Sequence, residues 1–484
     1  MRVYLIAVIV FYCTFVKSQN TGVTLYGTAV EYSNYNLIVE QTQNYITNEK
    51  TELQRFAINK KGDFKVSFDI NETSKISIKL GALQGFLFVQ PGNSYNILLP
   101  PLIPLKNEDQ LNPFFIPDEV NIGILNTDPD NLNEKIQRFD IYFNQQVNSN
   151  IRSIIIANNK RKIDEIISQT DSLFPSISET WFDNYKEYAY LSLIALKNKD
   201  NLRNISTGYF SNNDILYSIP TYWFSFNQCY KNFLYKYFNS DEGSQLKTIF
   251  SEKANYTALV NTLSHDSLFN NTELSELILL KSIYDGYYSK TFDNNYLTSL
   301  AKEATSVSSN QYNRQVAEDI YKKITKLTVN SEAPEFELPD LKNKTRKLKN
   351  YKGKFVYLNF ASTDNYACKK DFQVLEAMSK AYKRDLHIIT ILTDSDIENA
   401  KAYIKKNKLE WTFLHFNQNG KVLYDYNVRA YPTYYLLDPE GNIVIAPAPA
   451  PEEDFKAIFS KTFNNYRHQQ LRKNKQKERT IYDL

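Results

Sequence analysis

The chain changes hydrophobic texture twice. Between residues 19 and 100, apolar and polar residues alternate in short runs. Phe64, Val66, Phe68 and Ile70 take every second place, and so do Ile76, Ile78 and Leu80. A period of two lines up those side chains on one face of a strand, so one sheet face is buried. The pattern predicts strands over 23–32, 35–43, 53–58, 63–70, 85–89 and 95–99. Asn59-Lys60-Lys61-Gly62 and Gln90-Pro91-Gly92-Asn93 supply turns between them. This reads as an antiparallel β-rich domain over 19–100. Residues 101–129 read as a linker, since 100–117 alone contain five prolines.

From 130 to 328 the period lengthens. Apolar residues recur at helical spacing over 132–147, 160–173, 180–196, 222–238, 272–288 and 311–327, with Val316, Ile320 and Ile324 four apart. Asn271 or Thr272 is placed to cap the fifth helix. Trp181, Trp223 and the many tyrosines here are helix core or a binding surface. Over 329–464 strands and helices alternate, which predicts an α/β sheet. A nearly continuous apolar run over 354–360 reads as a buried parallel strand. It leads to Phe372, Leu375, Met378 and Tyr382 at helical spacing. A second buried strand over 386–393 and a helix over 397–407 follow, then a strand over 434–437, a turn at 438–442 and a closing helix over 452–463.

Composition adds limits. With 484 residues, 42% hydrophobic and 23% charged, the chain is long enough for two to four globular domains. The net charge is only +3. It traces to a basic tail over 465–484, read as a frayed, solvated terminus. Arg2, the apolar run 3–15 and Val16-Lys17-Ser18 form a signal peptide over 1–18, with cleavage before Gln19. The chain is expected in the periplasm or cell envelope, with no transmembrane segment after signal removal. Cys13 leaves with the peptide. Cys229 and Cys368 remain, in separate domains, and are expected as free thiols.

The candidate chemistry sits at 359–371, N-F-A-S-T-D-N-Y-A-C-K-K-D. This segment resembles the active-site pattern N-F-W-A-x-W-C-x-x-C-[KR]-x-E of the TlpA/ResA-like thioredoxin-fold family. Asn359 and Phe360 match. Cys368 falls on the second Cys and Asp371 on the acid. Asn365 stands where the nucleophilic Cys belongs, and Ala361 and Asp364 replace the two Trp. Ala333-Pro334-Glu335-Phe336-Glu337-Leu338-Pro339-Asp340 resembles the family's A-P-x-F-x-L-x-D opening, and Pro432 falls on its cis-Pro position. The β-rich part resembles the N-terminal domain often fused to envelope thioredoxins of Gram-negative bacteria.

The resemblance implies a C-terminal thioredoxin-like domain with Cys368 and Asp371 at a degenerate catalytic centre. It also implies a groove in which Tyr431, beside Pro432, holds an extended protein or peptide segment, with Tyr366, Asp364 and Asn365 opposite. A dithiol works by thiolate attack and resolution by the second Cys, and Asn365 has no sulfur to attack with. Cys368 is then inert packing or a single working thiol. Asp371 is a proton acceptor beside it or a first-turn helix acid. The peroxiredoxin pattern P-x-x-x-T-x-x-C is absent, since Ala361 and Asn365 hold its Pro and Thr places. The four His are scattered, no Cys-x-x-Cys exists, and no phosphate loop is visible. No cofactor, metal or nucleic acid is expected, and the oligomeric state stays open. Two functions fit: an envelope binding or scaffold module on a redox fold, or a thiol-disulfide oxidoreductase using Cys368 alone.

Overall fold

The computed structural model describes residues 21–105, 109, 112, 114–126, 128, 130–157, 159–176, 179–197, 202–266, 269, 271–289, 291–417 and 420–482. The expected signal peptide lies outside them. The chain divides into two compact units, one running to Pro104 and then over Pro117–Tyr321, the other comprising Leu105–Ile116 and Lys322–Leu484.

The first unit opens with two sheets. In one the order is Asp63–Asp69, Gly22–Thr28, Ser94–Leu98, Gly123–Ile124. In the other it is Glu49–Ala57, Asn36–Asn44, Ser74–Leu80, Leu83–Val89, Asp118–Asn121. Val23, Leu25, Val39, Ile76, Ile78 and Leu80 share one buried core, as the alternation requires. The Asn59 side chain accepts from the Lys61 and Asp63 amides. Gly62 closes that turn at φ +90, where a Cβ would strike the Val30 backbone at 2.8 Å. The sheets are mixed rather than purely antiparallel. Hairpin neighbours pair antiparallel. Gly22–Thr28 with Ser94–Leu98, and Leu83–Val89 with Asp118–Asn121, are parallel. Long connections let those strands arrive in the same direction. Asp118–Asn121 and Gly123–Ile124 lie in the stretch read as linker, and no apolar alternation marks them.

Helices follow. Leu132–Ile155 runs longer than expected, and Lys160–Leu173 matches. Asn271 is the cap of Thr272–Ser289, its Oδ1 accepting from the Glu273 and Leu274 amides. The single helix expected over 222–238 is broken into Pro220–Cys229 and Phe233–Tyr237. Asn232 sits between them at φ 54, a left-handed conformation that ends a helix. Trp223 is core, fully buried, with its Nε1 donating to the Tyr217 carbonyl at 2.9 Å and its ring stacked on Tyr45 at 5.8 Å. Trp223→Ala is expected to cost about 3–5 kcal/mol in a denaturant titration of the full chain. A loss under about 1 kcal/mol would show that the surrounding aromatics collapse into the gap.

The second unit holds a five-stranded sheet. Its strands are β1 (Phe355–Ala361), β2 (Leu386–Leu392), β3 (Thr412–His415), β4 (Thr433–Leu437) and β5 (Ile443–Ala448), in the order β3-β2-β1-β4-β5. β1 is parallel to β2, and β2 to β3, while β4 and β5 join antiparallel. The unit also holds helices α1 (Tyr366–Ala381), α2 (Ile397–Lys406), α3 (Gly420–Asp425) and α4 (Phe455–Tyr482), and a two-stranded antiparallel pair of Glu337–Pro339 with Thr345–Lys347. All seven residues of β1 are buried, as expected of a central strand covered on both faces. Phe372, Leu375 and Met378 pack on one side of the sheet. Leu358, Phe360, Ile389 and Ile391 face the other. α4 continues beyond the expected closing helix, so the basic tail is helical to Tyr482. Among the described residues, no helix is long and apolar enough to cross a membrane.

Candidate functional site

The β1–α1 turn and the loop before β4 meet at the start of α1. Asn365 is the helix N-cap, in extended conformation, and its Oδ1 accepts from the Cys368 amide at 3.1 Å. Such a cap contributes about 1 kcal/mol. Its Nδ2 donates to the Tyr431 carbonyl at 3.5 Å. The Tyr431–Pro432 peptide is cis. One asparagine thus ties the helix start to the loop opposite. The aligned position in the family pattern carries a sulfur, which supplies neither of these bonds well.

Cys368 lies one turn along α1 and is fully buried. Burial pushes its thiol up to about 11, with Asp371 and Asp394 adding to the rise. A thiol held neutral is a poor nucleophile. Cys229 is also buried, and both are free thiols. Asp371 is buried beneath the helix start, and its Oδ2 accepts from the Tyr434 hydroxyl at 2.6 Å. Tyr366 points outward, 84% exposed. Burial pushes the Tyr431 phenol up, with Asp394 acting in the same direction and a hydrogen bond with Thr393 opposing it. The structure thus brings together Asn365, Cys368, Asp371 and Tyr431, with Tyr366 exposed beside them.

Asp394 belongs to the same cluster and is not apparent from the motif. It follows β2, is buried, and accepts from the Thr363 amide at 2.8 Å and the Ser362 hydroxyl at 3.2 Å. Its Oδ2 has no partner among the described residues. Burial pushes its carboxyl up, against the pull of the Thr363 and Ser362 bonds. The sequence signal was its place just beyond a buried parallel strand, where α/β sheets collect functional side chains. Two acids and a neutral thiol thus surround a capped helix start. No group of three or more His, Cys, Asp or Glu among the described residues is placed to hold a metal ion.

Asp371 gives a pH test. Burial raises its carboxyl above the ordinary value, the Tyr434 hydroxyl and Lys370 pulling back. A carboxyl raised on folding binds its proton more tightly in the native chain. Its contribution is full below the unfolded-state value and is lost as pH climbs through the folded one. Asp371→Asn is therefore expected to raise the thermal midpoint of the C-terminal domain at pH 7, and to leave it unchanged below about pH 3.5, where both forms are neutral. A lowered midpoint at pH 7 would mean that the bond from Tyr434 outweighs the cost of burying the charge.

Known proteins resemble the C-terminal part of the chain. The AhpC/TSA family profile matches residues 329–446. The thiol-disulfide oxidoreductase ResA of Bacillus cereus strain ATCC 10987 is 30% identical over 125 residues, 26% of this chain and 72% of the relative. ResA of Bacillus cereus strain ZK is 31% identical over 120 residues, 25% of this chain and 69% of the relative. A crystal structure of the thioredoxin domain of a thiol-disulfide oxidoreductase from Bacteroides vulgatus covers 28% of this chain and 96% of its own, at 27% identity and a TM-score of 0.26. The C-terminal domain of the chain therefore belongs to the AhpC/TSA family, as a thioredoxin-fold domain related to the ResA/TlpA-type thiol-disulfide oxidoreductases.

Proposed function

We propose that this is an exported protein whose thioredoxin-like domain binds an extended protein or peptide segment of the cell envelope and does not exchange disulfides. The observation that carries this reading is Asn365. In the family pattern it falls on the nucleophile's place, and it caps α1 with its own side chain, while the thiol behind it is buried and held neutral. Two further observations support binding: the Tyr431 carbonyl lies across from Asn365 at the helix start, and Tyr366 is exposed beside it, where an aromatic ring is a good anchor. Export rests on the 1–18 pattern alone.

Panning a displayed random-peptide library against the full chain tests the groove. The expected result is a family of extended peptides that lose about tenfold in affinity on Tyr366→Ala, a step of about 1.4 kcal/mol. Peptides indifferent to that change, or no saturable binder, would remove the groove from the account. The second reading is a thiol-disulfide oxidoreductase working through Cys368 alone. It is favoured by the activity in the relatives' names and opposed by the burial of Cys368.

A further inference from the structure

We infer that the cleft between helix Pro220–Cys229 and the strands Asn36–Asn44 and Ser74–Leu80 is a binding site for a small organic anion carrying a planar ring. The cleft encloses about 780 Å³, and Tyr45, Lys50, Lys75, Glu119, Phe224 and Lys231 are among the residues lining it. That volume lies within the range of small-molecule sites.

Charge argues for the anion. Three ammonium groups line the cleft against one carboxylate. Glu119 is committed to Lys75 at 2.7 Å, and Lys75 also lies over the Phe86 ring at 4.1 Å. Lys50 has only Glu40, at the long distance of 3.9 Å. Lys231 has no ion-pair partner among the described residues. Gathering like charges beside low-dielectric walls costs free energy in the empty site and focuses a positive field into it. Burial pushes the Lys50 ammonium below its ordinary value. Lys75 and Lys79 add to the shift, and Glu40 and Glu119 oppose it. An anion in the cleft relieves that cost.

The walls argue for the ring. Phe224 is 64% exposed on a helix where Tyr222, Trp223, Ser225 and Phe226 are all buried. Its face is open at the cleft edge. Tyr45 is held from behind, stacked on Trp223 and with its carbonyl accepting from the Asn227 side-chain amide at 2.9 Å. An inorganic anion would leave these faces unused, and a neutral ring would leave Lys231 and the weakly paired Lys50 unneutralised.

The test is calorimetric titration of the full chain with 2-naphthoate, with 2-naphthamide and inorganic phosphate as controls. The expected result is saturable one-to-one binding of 2-naphthoate, at least about tenfold tighter than either control. Lys50→Gln with Lys231→Gln, and separately Phe224→Ala, should each weaken it about tenfold. All three side chains reach solvent, so circular dichroism should match the parent. Equal affinity for the amide would overturn the charge argument, and equal affinity for phosphate the ring argument. Absence of saturable binding, or binding unmoved by both variants, would overturn the site.

Discussion

Asn365→Cys should give the chain weak disulfide-reductase activity, and Asp364→Trp with Asn365→Cys should give more. The first change creates a Cys-x-x-Cys that ends at Cys368, with Tyr366 and Ala367 between the sulfurs. The new sulfur would sit at the N-cap of α1, where the partial positive charge of the helix start favours a thiolate. Cys368 already lies one turn behind it, in the resolving place. The substitution also removes a cap, at a cost of about 1 kcal/mol. It frees the Tyr431 carbonyl from Asn365 as well. Asp364 is exposed beside the site, and its carboxylate opposes a neighbouring thiolate. Removing one pKa unit of opposition multiplies the thiolate fraction roughly eightfold at pH 7 for a thiol that starts near 8.5. The ranking expected in dithiothreitol-driven insulin reduction is wild type at background, the single variant above it, and the double variant above that. Inactivity of both variants with an intact fold would mean that the groove itself has been remodelled.

The second large effect is protection of Cys368. With its thiol held at about 11, only about one molecule in a thousand carries the thiolate at pH 8. An unfolded Cys near 8.5 is about one-quarter ionised at that pH. Ionisation alone therefore slows alkylation about 200-fold, and full burial slows it further. Peptide-resolved mass spectrometry after iodoacetamide treatment, in native buffer and in guanidinium, measures the ratio for Cys368 separately from Cys229. A native rate within about tenfold of the unfolded rate would show an open, reactive thiol and revive the single-thiol reading.

Much of this site was legible in the chain because it is local. The apolar run, the loop and the helical spacing of Phe372, Leu375 and Met378 are contiguous, and β1 and α1 fall within a residue or a few of the expected bounds. The place of Pro432 came from the resemblance to the family's cis-Pro position. Asp394 is different. It is 26 residues from Cys368, and only the sheet brings it to the thiol, whereas Asp371 is already one helical turn away. The two roles of Asn365 were likewise hidden. A missing sulfur is visible in sequence, whereas a cap that also reaches Tyr431 is a tertiary fact. In the first unit, alternation gave the buried face but not the partners. Parallel pairing of Gly22–Thr28 with Ser94–Leu98 depends on a long connection that leaves no local signal. Asp118–Asn121 was missed because Asp-Glu-Val-Asn has no apolar alternation, and backbone pairing to Leu83–Val89 makes it a strand.

The central claim is that this thioredoxin fold holds its partner without exchanging disulfides. Insulin reduction by the wild-type full chain under dithiothreitol, beside Cys368→Ser and a protein-free blank, tests it most directly. The account predicts that wild type, Cys368→Ser and blank give the same rate. A wild-type rate above the blank that Cys368→Ser abolishes would contradict it.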